Sequence, residues 1–125
     1  MARILIAEDE EALCALCARA LTSEGHEVKT ACDGSDALGL LVHEAGRFDL
    51  LLTDIRMPIM DGIALALNAA RDFPDLTILL MTGYAEQRER AHGLDAIIHD
   101  VIAKPFSVAS LRQTVNEALT VKARA

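Results

Sequence analysis

Polar and apolar positions fall in blocks along this chain. Five short segments, at residues 3–7, 27–31, 48–53, 77–81 and 99–103, stand out as strand candidates, and all but 27–31 are mostly Ile, Leu, Val and Ala. Runs of that length read as strands, and the nearly unbroken apolar ones at 48–53 and 77–81 as strands buried on both faces. The segments between them repeat apolar residues at three and four positions, which predicts helices over 11–23, 34–45, 62–72 and 107–121. A shorter, polar helix is predicted over 85–92. Gly25, Gly46 and Gly93 stand where helices should stop, and Asp61 and Ser107 where they should be capped. Strand and helix alternate five times, so the expected fold class is α/β: a doubly wound, five-stranded parallel sheet with helices on both faces.

One run ends differently from the others. Leu50-Leu51-Leu52-Thr53 reads as a strand buried on both faces, and it closes on Asp54. The carboxyl end of a strand is where open α/β sheets bind ligands, and a carboxylate there needs a cationic partner to offset its desolvation. Capping of the following turn is the plain structural alternative for Asp54. If strands one and three are neighbours, Asp54 meets Glu8 and Asp9, which follow the first strand. Acidic residues at a strand end are also common as solvated loop residues. The fourth and fifth strands change the balance, because they end on Thr82 and Lys104. Carboxylates, a hydroxyl and an ammonium at one edge suit phosphoryl transfer to a carboxylate. Asp54 is then the nucleophile, and Mg2+ is held by Asp9, Asp54 and a backbone carbonyl. Thr82 and Lys104 would meet the phosphoryl oxygens, and Lys104-Pro105 is a candidate cis bond that aims the lysine.

Composition narrows the partners. The 125 residues suffice for about one domain, and 52% of them are hydrophobic but only 3% aromatic, so the core must be aliphatic. The net charge of −7 argues against a sequence-independent grip on nucleic acid. No apolar run reaches membrane-spanning length, and Met1-Ala2-Arg3 leads directly into a strand, so a cytoplasmic protein without a leader is expected. The odd cysteine count fits a reducing compartment. Cys14 and Cys17 form a C-x-x-C, but inside a helix rather than at its start, where Leu13, Leu16, Cys17 and Ala20 share the inner face. His26, His43, His92 and His99 all fall away from the active edge.

The chain resembles the receiver domains of response regulators in two-component signalling over essentially its whole length. The resemblance is carried by Ile4-Leu5-Ile6-Ala7-Glu8-Asp9-Glu10, by Leu52-Thr53-Asp54-Ile55-Arg56-Met57-Pro58-Ile59-Met60-Asp61-Gly62, by Met81-Thr82-Gly83 and by Lys104-Pro105-Phe106. It implies a flavodoxin/CheY-like sheet of order 2-1-3-4-5 and a receiver domain over 1–121, with 122–125 a short tail. It also implies Mg2+-dependent phosphorylation of Asp54 by a sensor histidine kinase or a histidine phosphotransfer protein. Glu8, Asp9, Asp54 and the Arg56 carbonyl would serve the metal. Thr82 would be the switch hydroxyl and Lys104 the phosphoryl contact. The chain would catalyse only its own phosphorylation and dephosphorylation, and would signal by binding an effector through the face of the polar helix, fifth strand and last helix.

Two positions depart from the common pattern. The acidic pair is Glu-Asp, and Val101 stands where many receivers carry an aromatic residue. Tyr84 is a candidate substitute for that aromatic, and Arg56 and Tyr84 flank the acceptor, where relatives tune loss of the phosphoryl group. A stand-alone receiver is expected, similar in its finer features to alphaproteobacterial single-domain receivers that act as adaptors for the ClpXP protease. A phosphorelay intermediate and a motility regulator are the alternatives. Two readings from other classes are an aspartate-nucleophile phosphatase and an FMN-binding flavodoxin-like module. The first usually needs Asp-x-Asp on strand one; the second needs a phosphate loop where Glu8-Asp9-Glu10 stands.

Overall fold

The computed structural model describes residues 1–83 and 91–124, without the side chains of His92 and residues 122–124. Its strands are β1 (Arg3–Ala7), β2 (Glu27–Ala31), β3 (Leu50–Asp54), β4 (Thr77–Thr82) and β5 (Asp100–Ala103). Its helices are α1 (Glu11–Thr22), α2 (Gly34–His43), α3 (Gly62–Asp72) and α4 (Val108–Arg124), with a 3-10 turn at His92–Leu94. All strands are parallel, in the order β2-β1-β3-β4-β5, so β1 and β3 lie side by side. Ala7 is level with Thr53, and Asp54 with Met81.

Side-chain alternation divides the sheet between two cores. Ile4, Ile6, Leu50, Leu52, Leu79 and Met81 pack toward Cys17 and Leu21 of α1 and Leu111 and Val115 of α4. Leu5, Leu51, Ile78 and Leu80 pack toward Leu41 of α2 and Leu65 and Ala69 of α3. By the same period of two, Glu8, Asp54 and Lys104 continue the rows of Ile6, Leu52 and Ile102 and turn to the α1–α4 side.

The caps fall where the sequence places them. Ala64 N–H donates to Asp61 Oδ1 at 2.9 Å and Ser110 N–H to Ser107 Oγ at 3.0 Å. Gly25 and Gly46 end their helices with φ of +91° and +68°. Boundaries move by a few residues: β3 starts at Leu50 rather than 48 and includes Asp54, and α4 continues to Arg124. One face assignment is corrected. Leu16 is exposed, and Leu21 takes its place beside Cys17 and Ala20. At 3.6 residues per turn Leu16 lies about 100° from Cys17, which is enough to carry it off the buried stripe. The helix expected over 85–92 falls, except for its end, outside the described residues.

Candidate functional site

Four strand ends build one pocket. Glu8 and Asp9 follow β1, Asp54 ends β3, Gly83 follows β4, and Lys104 follows β5; all of them line it, with Arg56. Leu13 of α1, Pro105 and Phe106 form an apolar rim on one side. The bond between Lys104 and Pro105 is cis.

Lys104 Nζ lies 2.8 Å from Glu8 Oε1 and 3.2 Å from Asp54 Oδ2. The other Asp54 oxygen, Oδ1, accepts the Ile55 N–H at 3.0 Å. Burial alone would pull the Lys104 ammonium down, but the hydrogen bond to Glu8 and the charges of Asp54 and Glu8 outweigh it, so its pKa is raised. Lys104 is therefore a fixed cation aimed at the Asp54 carboxylate.

The pocket still carries more negative than positive charge. Glu8, Asp9 and Asp54 place one carboxylate oxygen each within 4.8 Å of one another, and Lys104 pairs with Glu8 and Asp54. Desolvation and then the neighbouring Glu8 push the Asp9 carboxyl up from its ordinary value. Three hard oxygen donors gathered at one place fit a hard divalent cation such as Mg2+. Asp9, exposed at the mouth, and Asp54, at the floor, are placed to hold it.

The loop after β3 is held tightly against the acceptor. Gly62 N–H donates to the Ile55 carbonyl at 2.8 Å, and a Cβ on Gly62 would collide with the Asp54 carbonyl oxygen. A Cβ on Gly34 would meet the Met60 carbonyl in the same way, where Gly34 N–H donates at 3.1 Å. The Asp-Gly pair was read from the sequence only as a helix start; its second duty is steric and carries no periodic signal.

Glu8, Asp9, Asp54, Arg56 and Lys104 thus line one pocket. Thr82 ends β4 but does not line the pocket; it is buried, and its carbonyl accepts the Lys104 N–H at 2.7 Å. Val101 is half-buried in β5. Tyr84 lies outside the described residues. The C-x-x-C lies inside α1 with both thiols free, and burial pushes the Cys17 thiol up to about 11 and the Cys14 thiol upward as well. His43 and His99 are exposed, and His26 Nδ1 accepts the Ala2 N–H at 3.1 Å, well away from the pocket.

An acidic pocket met by a lysine, at the switch point of a 2-1-3-4-5 sheet, is the arrangement of the receivers of two-component signalling. The response regulator receiver domain model matches residues 4–116, and the chain belongs to that family. It is 36% identical over 109 residues to the transcriptional regulatory protein TcrA of Mycobacterium tuberculosis, covering 87% of this chain and 42% of TcrA. The chain spans less than half the length of the curated relatives it matches. Among solved structures, a CheY-like response regulator receiver domain protein from Methanospirillum hungatei superposes with a TM-score of 0.89 at 30% identity, covering 99% of this chain and 98% of that one. The response regulator protein TrrA of Thermotoga maritima, solved in complex with Mg2+-BeF, gives 0.82 at 30% identity, covering 94% of this chain and 99% of TrrA. Among the described residues no helix is long and apolar enough to cross a membrane.

Proposed function

We propose that this receiver is a phosphorylation-controlled switch of the cytoplasm that takes a phosphoryl group onto Asp54. The donor is a phosphohistidine on a sensor histidine kinase or a histidine phosphotransfer protein. An Asp54 carboxylate oxygen forms the new P–O bond as the P–N bond of the phosphohistidine breaks, and the imidazole nitrogen leaves with the electron pair. The observation that carries this reading is Lys104 Nζ at 3.2 Å from Asp54 Oδ2 inside a carboxylate cluster.

Asp9, Asp54 and the Arg56 carbonyl are the residues that would hold Mg2+, and TrrA, which shares this fold, was solved with Mg2+-BeF. Bound Mg2+ supplies charge neutralisation for the transferring oxygens. Lys104 stays beside the acceptor and meets a phosphoryl oxygen as it arrives. Thr82, buried at the end of β4, is the hydroxyl that turns to the phosphorylated aspartate. A phosphoryl group adds roughly −1.5 to −2 of charge, which draws on Thr82 and shifts the β5–α4 face between conformations. An effector reads that face. A ClpXP-type protease, a relay partner and a motility component are the partner classes consistent with the sequence resemblance.

The test is incubation with acetyl phosphate and Mg2+, followed by intact mass. One phosphoryl group is expected on the wild type, and none on Asp54→Asn or after chelation of the metal. Equal incorporation by Asp54→Asn overturns the assignment.

A further inference from the structure

We propose that Cys14 and Cys32 are a redox pair: hydrogen peroxide closes them into a disulfide that ties α1 to the end of β2, at the margin of the acidic pocket. The chain has three cysteines, Cys14, Cys17 and Cys32, and all are free thiols. Nearness in sequence favours Cys17 as the partner of Cys14. The fold favours Cys32.

β2 is an edge strand, and one row of its side chains faces α1. Val28 packs into the same core as Cys14, whereas Ala31 belongs to the core on the other side of the sheet. With a period of two, Val28, Thr30 and Cys32 therefore form one row on the α1 side. Cys14 looks onto that row. Its thiol hydrogen-bonds with the Thr30 side chain, and the charge of Cys32 acts on it. Cys32 stands one step along the row from Thr30, roughly 7 Å of strand.

Exposure divides the roles. Cys32 is exposed, Cys14 is half-buried and Cys17 is fully buried in the α1–α4 core. Peroxide therefore meets Cys32 first. The Cys32 thiolate attacks one peroxide oxygen, the O–O bond breaks, and a sulfenic acid forms as hydroxide leaves. The Cys14 sulfur then attacks the Cys32 sulfur. The S–O bond breaks, and the hydroxyl departs as water with the Cys14 proton. In sum two thiols are oxidised to a disulfide and one peroxide is reduced to two waters. Burial, which raises the Cys14 pKa, keeps that thiol from being the first target and leaves it to resolve the sulfenic acid.

The bond would join parts already tied to the pocket. The Ala31 carbonyl, just before Cys32, accepts the Glu8 N–H at 3.1 Å, and Gly34 N–H donates to the Met60 carbonyl at 3.1 Å. Leu13, just before Cys14, lines the pocket. The pair is then an oxidant input separate from Asp54. In a reducing compartment the disulfide lasts only while oxidant is present.

The test treats the reduced full chain with hydrogen peroxide, then unfolds it, alkylates the remaining thiols and maps the peptides by fragmentation. The expected product is a monomer lacking two hydrogens, with Cys14 joined to Cys32 and only Cys17 alkylated; dithiothreitol should restore all three thiols. Cys17→Ala should still close the bond. Cys14→Ala should stop at a sulfenic or sulfinic acid on Cys32, and Cys32→Ala should form no disulfide. Three results overturn the proposal: a Cys14–Cys17 bond as the wild-type product, a dimer linked through Cys32, or oxidation of wild-type Cys32 to sulfinic acid with no disulfide. All three are read on the wild type, so a poorly folding variant does not obscure the answer.

Discussion

The two ends of the sheet carry similar numbers of charged groups and use them in opposite ways. At the amino end, Arg3 of β1 bonds to Glu27, to Glu44 and to the Arg47 carbonyl, and lies 4.7 Å over the Phe48 ring. Lys29 meets the second Glu44 oxygen at 3.0 Å, and Asp49 accepts the Arg3 N–H at 2.8 Å. There each glutamate meets a cation, and Asp49 is held by a backbone amide. At the carboxyl end of the same strands three carboxylates cluster, and Lys104 pairs with two of them, Glu8 and Asp54. The carboxyl groups respond accordingly. The hydrogen bond from Arg3 holds Glu44 below its ordinary pKa, whereas desolvation and Glu8 push Asp9 above its own. Charges that meet in pairs contribute a little stability; an excess of one sign keeps a place for a ligand that brings the other. The imbalance, more than the presence of acidic residues, marks the functional end.

The strongest way to break the comparison leaves every charge in place. Gly62→Ala puts a Cβ into the Asp54 carbonyl oxygen, a backbone group that cannot rotate away. The loop after β3 must shift, and Asp54 with it. A loss of roughly 3 kcal/mol is expected, or on the order of 10 °C in Tm, with Asp54 phosphorylation falling in the residual folded protein. Thermal unfolding and phosphoryl incorporation measured on the same samples check this. A variant that unfolds like the wild type would show that the loop is loose and that the close approach is unimportant.

The working end was largely legible in the sequence because Asp54, Thr82 and Lys104 each close or follow an apolar run, and Glu8 and Asp9 follow another. A strand end stays recognisable even when its boundary shifts by a residue. The neighbour relation of β1 and β3 came through the family resemblance, because periodicity does not order strands. Other features were hidden for physical reasons. The Glu8–Lys104 bond spans 96 residues and depends on which face each side chain takes. Gly62 is needed for space, and its helix-start position masks that. The Arg3 network looks like ordinary surface charge until β1 and β2 are paired and α2 closes over them. Leu16 has the right spacing for the core but sits at the edge of the stripe, where spacing alone decides poorly.

A gentler perturbation supplies the missing charge. Added Mg2+ should raise the stability of the wild type by about 2.7 kcal/mol at a free concentration near 100 times its dissociation constant. Asp9→Asn should lose most of that increment. Without metal, the same variant should be slightly more stable than the wild type, because a carboxylate whose ionisation is disfavoured first by desolvation and then by Glu8 has been removed. Tm measured with and without Mg2+ tests both statements. A metal-free Asp9→Asn that is less stable than the wild type would remove the idea of uncompensated repulsion.

The smallest effect belongs to the amino end and has the opposite sign. Glu44→Gln removes a carboxylate that the hydrogen bonds and charges of Arg3 and Lys29 stabilise, so at neutral pH it should lower stability. Because the folded pKa of Glu44 lies below its unfolded value, the contribution is fully present above the ordinary carboxylate range. It disappears as the pH falls through the folded value, where the native state also binds the proton. Urea midpoints of wild type and Glu44→Gln should therefore differ most near neutrality and converge in acid, and added salt should narrow the gap. Parallel curves from neutral to acid pH would mean that Glu44 acts through packing alone. The neutralised end would then owe its stability to Arg3 stacked on Phe48 rather than to matched charge.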